Sequence, residues 1–333
     1  MQRSVVVLFF SMSLLTSLAQ IDRQEIQRHF MSADSALQVR YNDYRQLDTL
    51  YIHRPQEKWT VRLRFNVSGS VLEGNSRMSG VHYQSRYRAD YKGTVSFGAT
   101  YMGISLGGAV NPGAILGKYK DYELNVNSYG NRFGFDLVYQ RAKNFHGWMR
   151  SGNGSRITLP RDLVTLNSLN VNAYYAFNYR RFSFPAAFSQ SYIQRRSAGS
   201  WIVAASFQGL DIKTRVDQQL GNPKMKLRSV NLALGGGYGY NFVLPHKWLV
   251  HISSTPTFLL TDRNRWRVDG ERIKTRYEFP EVIITGRGAV VRTFGHYFIG
   301  STMVFNYSRL GDKEHMELMN TKWRMRTFFG VRF

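Results

Sequence analysis

Arg62 and Arg64, Arg86 and Arg88, and Lys322, Arg324 and Arg326 recur at every second position in three separate stretches of the chain. In an extended strand that spacing puts the charges on one face. An arginine keeps its proton at any physiological pH, so such a row calls for carboxylates, water or an anionic ligand. Asp90, Glu123 and Asp136 fall on the same phase as candidate internal partners, and Arg180, Arg196 and Arg287 extend the basic row. A second constellation, His251 with Ser253 two residues on and His82 elsewhere, has the residue types of nucleophilic hydrolysis. No G-x-S-x-G, H-E-x-x-H or glycine-rich phosphate loop accompanies it. A histidine on one face of a strand is more often a hydrogen-bonded wall residue, so the expectation is no enzyme, with lipid modification a remote alternative. The chain has no cysteine, which removes disulfides and thiolate metal sites; no metal or cofactor is expected.

The elements that must hold these residues are strands. In WTVRLRFNV, Trp59, Val61, Leu63, Phe65 and Val67 oppose Thr60, Arg62, Arg64 and Asn66. The same alternation returns in DYELNVN, RFGFDLVYQ, SVNLALGGGYGYNF and WLVHISSTPTFLL. Segments of about ten alternating residues match strands that cross a bilayer at a tilt. About twelve are expected, over 58–72, 80–91, 94–106, 120–129, 132–145, 165–180, 189–212, 226–242, 247–260, 281–294, 297–309 and 321–333, with ten or fourteen on other groupings. Ser197 to Ser200 marks a kink in the longest of them. The connections alternate in length: Lys92-Gly93, Gly130-Asn131, Arg181 to Phe188, Val243 to His246 and Gly295-His296 are short. Glu73 to Ser79, Gly107 to Tyr119, His146 to Val164, Lys213 to Met225, Thr261 to Pro280 and Leu310 to Asn320 are mostly longer. Short turns at one end and long loops at the other define an all-β, transmembrane, antiparallel up-and-down barrel. Lipid offers the backbone no hydrogen-bond partner, so such a sheet must close.

Rows such as Val81, Tyr83, Tyr87 and Tyr91, or Val230, Leu232, Leu234 and Tyr238, are expected on the lipid face. Closure makes the first and last strands neighbours, so Arg62, Arg64, Arg86, Arg88, Lys322, Arg324 and Arg326 form one basic lumen patch. Gly235, Gly237 and Gly239 on the eighth strand leave room opposite it. The leading reading is a narrow channel favouring small anionic solutes. The alternative is a closed barrel, its cations bridged by Asp90, Glu123 and Asp136, that anchors a periplasmic or outer-membrane partner protein or lipopolysaccharide. A basic compositional bias with no selected partner is a third reading.

The formal net charge of +23 would ordinarily suggest nucleic acid. The N-terminus argues otherwise: Arg3, an apolar run from Val5 to Leu15 and the exit Ser17-Leu18-Ala19 read as a secretory signal peptide over 1–19. Residues 20–57 then form an N-terminal periplasmic segment and 58–333 the barrel. The chain ends in TKWRMRTFFGVRF. Its terminal Phe333 is the kind of aromatic residue read by the barrel assembly machinery, and Arg332 is expected to reach periplasmic water. The stretch DRNRWRVDGERIKTRYEFP, residues 262–280, reads as an external loop in which Arg263, Arg265, Arg267, Arg272 and Lys274 could meet lipopolysaccharide phosphates. Asp34-Ser35-Ala36 and Asp48-Thr49-Leu50 are triplets of an O-glycosylation type, carried on Ser35 and Thr49.

EKWTVRLRF, DYELNVNSYGNRFGFDLVYQ and FPAAFSQSYIQRRSAGSW together resemble an uncharacterised family of Bacteroidetes outer-membrane proteins, domain of unknown function 4421. The resemblance spans about 48–333 and implies lineage and an envelope location. These are strand and turn patterns, so it implies no active site. FSFPAAF is expected to form a periplasmic connection before the seventh strand.

Overall fold

The computed structural model describes residues 47–333 apart from 79, 102–103, 111–121, 153, 162, 216–223, 274–280 and 313–315, together with Ser32 and Ser35. The signal-peptide residues 1–19 lie outside the described set. The chain divides into two units, Met1–Gln46 and Leu47–Phe333. In the first, the Ser35 hydroxyl donates to the Ser32 carbonyl at 3.0 Å. The second unit begins ahead of Lys58, because Asp48 and Tyr51 are hydrogen-bonded into it.

That second unit is almost entirely strand. Its elements are β1 (Ile52–His53), β2 (Trp59–Met78), β3 (Val81–Ala89), β4 (Lys92–Tyr101), β5 (Ile104–Val110), β6 (Tyr122–Tyr129), β7 (Phe133–Ala142), β8 (Phe145–Ser151), β9 (Ile157–Leu159) and β10 (Val164–Ala176). Then follow α1 (Phe184–Phe188), β11 (Ile193–Gln194), β12 (Ala198–Thr214), β13 (Met225–Leu244), β14 (Trp248–Val268), β15 (Glu271–Ile273), β16 (Val282–Phe294), β17 (Tyr297–Asp312) and β18 (Met316–Arg332). One antiparallel sheet runs β6-β7-β10-β12-β13-β14-β16-β17-β18-β2 and continues through β3-β8-β9, with β4 also paired to β2 and β5 paired to β4. The terminal strands pair as expected, from Thr60 opposite Arg332 to Ser76 opposite Met316. Among the described residues no ladder joins β5 or β9 to β6. The sheet nevertheless curls until inward side chains of β6 and β7 reach β18 and β16.

Among the described residues the main sheet counts sixteen strands where about twelve are expected, and one expected break is absent. Lys92-Gly93 is no turn. β3 and β4 both run antiparallel to β2, with Val71 opposite Arg88 and Ser68 opposite Lys92. Two residues of β2 therefore face three of the partner, which is a β-bulge at Asp90-Tyr91. One extra residue reverses the pleat. Below the bulge Tyr91 and Phe97 point outward, whereas above it Arg86 and Arg88 are exposed and Tyr87 packs inward with Leu72 and Ala89. The strand expected over 189–212 starts at Ala198, since 189–197 belongs to the base. Glu73 to Ser79 is mostly the upper part of β2, and 262–273 is a strand hairpin turned at Asp269-Gly270.

Alternation in β13 and β18 follows burial position by position. Val230, Leu232, Leu234 and Tyr238 are exposed, as are Met325 and Phe329, while Ser229, Asn231, Lys322 and Arg332 are buried. The outer surface is thus apolar along strands whose inner surface is polar. The hairpin from Phe294 to Tyr297 closes through Gly295 at φ 56°, a left-handed turn position that suits glycine.

Candidate functional site

The lumen is organised in three layers. At the base, where Trp59 N–H donates to Phe333 O and Phe333 N–H to Trp59 O, the chain between β10 and β12 folds inward. Ser183 caps α1 by accepting from Ala186 N at 3.2 Å, and Pro185 pre-sets the first turn. Phe182, Phe184, Ala187 and Phe188 are buried among Tyr174, Ile202, Leu249, Phe298 and Phe328. FSFPAAF is therefore a plug as well as a connection. The room left by Gly239 is taken by it: a Cβ there would lie 3.1 Å from the Phe182 ring.

A polar frame fixes the plug. Gln194 Oε1 accepts from Ser183 N at 3.0 Å and from Asn241 Nδ2 at 2.9 Å, and its amide donates to Arg196 O at 3.0 Å. Asn241 Nδ2 also donates to Ser183 O at 2.9 Å, so its oxygen is left to accept from His251 Nδ1 at 2.7 Å. His251 Nε2 lies 2.9 Å from the Ser253 hydroxyl. This Asn–His–Ser chain has the connectivity of a hydrolytic relay, but the ring is packed by Phe182, Phe184 and Phe188. It works as a buried wall network, and His82 is exposed on the outer face of β3. Two lumen cations staple the plug's end: Arg62 donates to Ser189 O at 2.5 Å and Arg332 to Gln190 O at 2.9 Å. Arg332 does not reach water as expected; it is 3% exposed and lies over the Phe298 ring.

Above the plug sits a charged belt. Glu123 lies 3.7 Å from Lys322 and 4.0 Å from Arg324, and accepts from Asn125 at 2.8 Å. Asp136 takes a 2.8 Å bond from Arg287 and a 2.5 Å bond from the Tyr129 hydroxyl. Arg326 donates to Asn66 Oδ1 at 2.8 Å, and Arg64 is half-buried in the same row. Beside Asn172, Asn306 and Lys322 lies a small void of about 10 Å³, room for one water.

At the opposite end the lumen widens into an apolar cup. A cavity of about 350 Å³ is lined by Leu72, Tyr83, Tyr87, Ile212, Leu227 and Trp266, with Asn75 and Glu317 among its polar groups. Glu317 is engaged by Arg309 and by Asn75. Trp266 is 4% exposed, and its indole Nε1 has no partner among the described residues.

Of the basic patch expected from sequence, Arg62, Arg64, Lys322, Arg324 and Arg326 come together in the lumen. Arg86 and Arg88 do not, because the bulge turns them outward: Arg86 pairs with Glu73 at 3.2 Å and Arg88 lies 3.5 Å from His146. Asp90 sits at the bulge and meets Arg161 and His146 instead of lumen cations. Arg180 and Arg196 are exposed at the base. Tyr83 and Tyr87, expected on the lipid face, line the cup. The plug and Trp266 were missed. A serine followed by Phe-Pro inside a non-alternating apolar run was the available signal for the first. The second was hidden because arginines flank Trp266 on a strand taken for a loop.

No curated protein matches this chain. Solved structures with a partial likeness include the outer membrane protease OmpT from Escherichia coli, at 4% identity, 83% of this chain, 97% of that chain and TM-score 0.42. The β domain of the Bordetella autotransporter BrkA aligns at 13% identity over 83% and 100% of the two chains, with TM-score 0.32. The translocator domain of NalP from Neisseria meningitidis aligns at 8% identity over 93% and 98%, also with TM-score 0.32. The family model described as Domain of unknown function (DUF4421) matches residues 46–333, and the chain belongs to that family.

Proposed function

We propose that this is an outer-membrane barrel that holds rather than conducts, a sealed anchor for an envelope component. The observation that carries the reading is the plug of Phe182, Phe184 and Phe188, pinned by Arg62 and Arg332 beneath the charged belt. Residence in the outer membrane of a Gram-negative cell, with export by residues 1–19, is part of the same proposal. Its support is the outward row of Leu63, Phe65, Val67, Leu232, Leu234 and Phe329, with Trp59 and Tyr297 at strand ends. Most of the lumen cations that suggested anion passage meet groups of the wall: Arg62 and Arg332 hold plug carbonyls, Lys322 and Arg324 flank Glu123, Arg326 holds Asn66 and Arg287 holds Asp136. In planar bilayers the folded chain is expected to give no steady unitary current. Reproducible conductance steps with an anion-selective reversal potential would overturn the reading in favour of a channel.

The cup supports a second reading, uptake of a small uncharged apolar ligand bearing one hydrogen-bond acceptor. The size and apolar lining of this cavity match those of small-molecule sites, and Trp266 Nε1, without a partner among the described residues, asks for an acceptor. The polarity-sensitive ketone 6-propionyl-2-dimethylaminonaphthalene should bind saturably to the chain held in amphipol. Trp266→Phe should weaken it about three- to tenfold, the worth of one net hydrogen bond. Equal binding to both proteins would remove this reading.

A further inference from the structure

The register of β12, β13, β14 and β15 sets four cations side by side. Lys213 is directly opposite Lys226, Lys226 opposite Arg267, and Arg267 opposite Arg272. One level lower, Arg228 is directly opposite Arg265. Directly opposed residues of an antiparallel pair share a face, with Cβ atoms about 5 Å apart, and like charges placed so are destabilising. The face is the outer one, since Lys213, Arg228, Arg265, Arg267 and Arg272 are exposed while Ile212, Leu227 and Trp266 between them are buried. Asp211 reaches Lys213 at 3.8 Å and Arg228 at 3.5 Å. Among the described residues Lys226, Arg265, Arg267 and Arg272 form no ion pair. A sheet carries such a row at a cost in stability unless a multiply charged anion spans it.

We propose that this ladder binds the phosphates of an acylated, bisphosphorylated glycolipid of the surrounding leaflet. Arginine forks and lysines on neighbouring strands, about 4.8 Å apart, match a group with several anionic oxygens. What selects a lipid over a free phosphate is continuity with the apolar face. Directly down the same strands stand Val230, Leu232 and Leu234, with Phe258 and Leu260 beside them, all exposed. Leu232 lies four residues below Arg228, or about 13 Å along the strand. A headgroup on the ladder therefore lays its acyl chains along an apolar surface that needs covering. The proposal rests on the membrane placement given above, but not on whether the lumen is sealed.

The test uses the full folded chain in detergent micelles, titrated with bisphosphorylated lipid A, its dephosphorylated form, and inorganic pyrophosphate. Binding is followed by native mass spectrometry. The parent should retain bisphosphorylated lipid A at least tenfold more strongly than the dephosphorylated form, and added salt should reduce the difference. Lys226→Ala/Arg267→Ala should bring the two lipids to within about twofold. Without lipid, that variant should unfold at the same or a higher temperature than the parent, because a like-charge pair has been removed. Equal retention of both lipids by the parent, or unchanged retention by the variant, would overturn the proposal. Displacement by pyrophosphate at equal concentration would overturn the lipid as the source of the phosphate. A barrel that binds lipid A yet conducts steadily would leave this site standing and remove only the sealed-anchor reading.

Discussion

Asp136→Ala is expected to destabilise the folded barrel by about 3–5 kcal/mol, the cost of leaving one partner of a buried ion pair without the other. The side chains of Arg287 and Asp136 are 2% and 3% exposed, and their 2.8 Å contact joins β16 to β7 across the lumen. Removing the carboxylate strands the Arg287 charge beside the Tyr174 ring and takes away the acceptor of the Tyr129 hydroxyl. Bulk water does not take its place, because both side chains are almost fully buried. Asp136→Ala/Arg287→Met should recover most of the loss, since an apolar pair of similar volume carries no uncompensated charge. The check is a double-mutant cycle by urea unfolding of the lipid-reconstituted chain, followed by tryptophan emission. A single mutant within about 1 kcal/mol of the parent would mean that the pair is hydrated and the belt is open.

How much of this was legible in the sequence depends on where the information resides. Arg62 and Arg64 on β2, and Lys322, Arg324 and Arg326 on β18, alternate with Leu63, Phe65, Trp323 and Met325. A period of two is written locally when lipid lies on one side and lumen on the other. The pairing of these two strands followed from closure alone. The reversal at Asp90-Tyr91 was not legible, because a bulge is a mismatch between two strands and neither strand shows it by itself. Arg86, Arg88, Tyr83 and Tyr87 were all placed on the wrong face by that one residue. The plug was read as a connection because the partners that fold it inward, Gln194, Asn241 and Arg332, are respectively near, distant and terminal in sequence. The basic ladder was visible only as a charged stretch, since its meaning lies in which residues stand opposite.

The largest functional effect is expected from the plug itself. Replacing residues 183–190 by a glycine-serine linker of equal length should turn a silent barrel into a conducting one. The substitution removes Phe184 and Phe188 from the base and frees the polar frame that Gln194 and Asn241 provide. It also releases the backbone carbonyls at 189 and 190, to which Arg62 and Arg332 now donate, from the places where α1 holds them. Those guanidiniums would then line the opening, together with Arg64 and Arg326, and a ring of fixed cations favours anions. The current should therefore be anion-selective, with a reversal potential on the chloride side in a salt gradient. Adding Arg62→Ser and Arg332→Ser to the linker variant should lower that preference without closing the pore. Folding is verified by heat-modifiable migration, which the strand ladders from β2 to β18 maintain without the plug. A folded linker variant that remains silent would place the seal in the belt of Glu123, Lys322 and Asp136. Opening would then require Glu123→Ala and Lys322→Ala in addition, a sequence of variants that locates the barrier layer by layer.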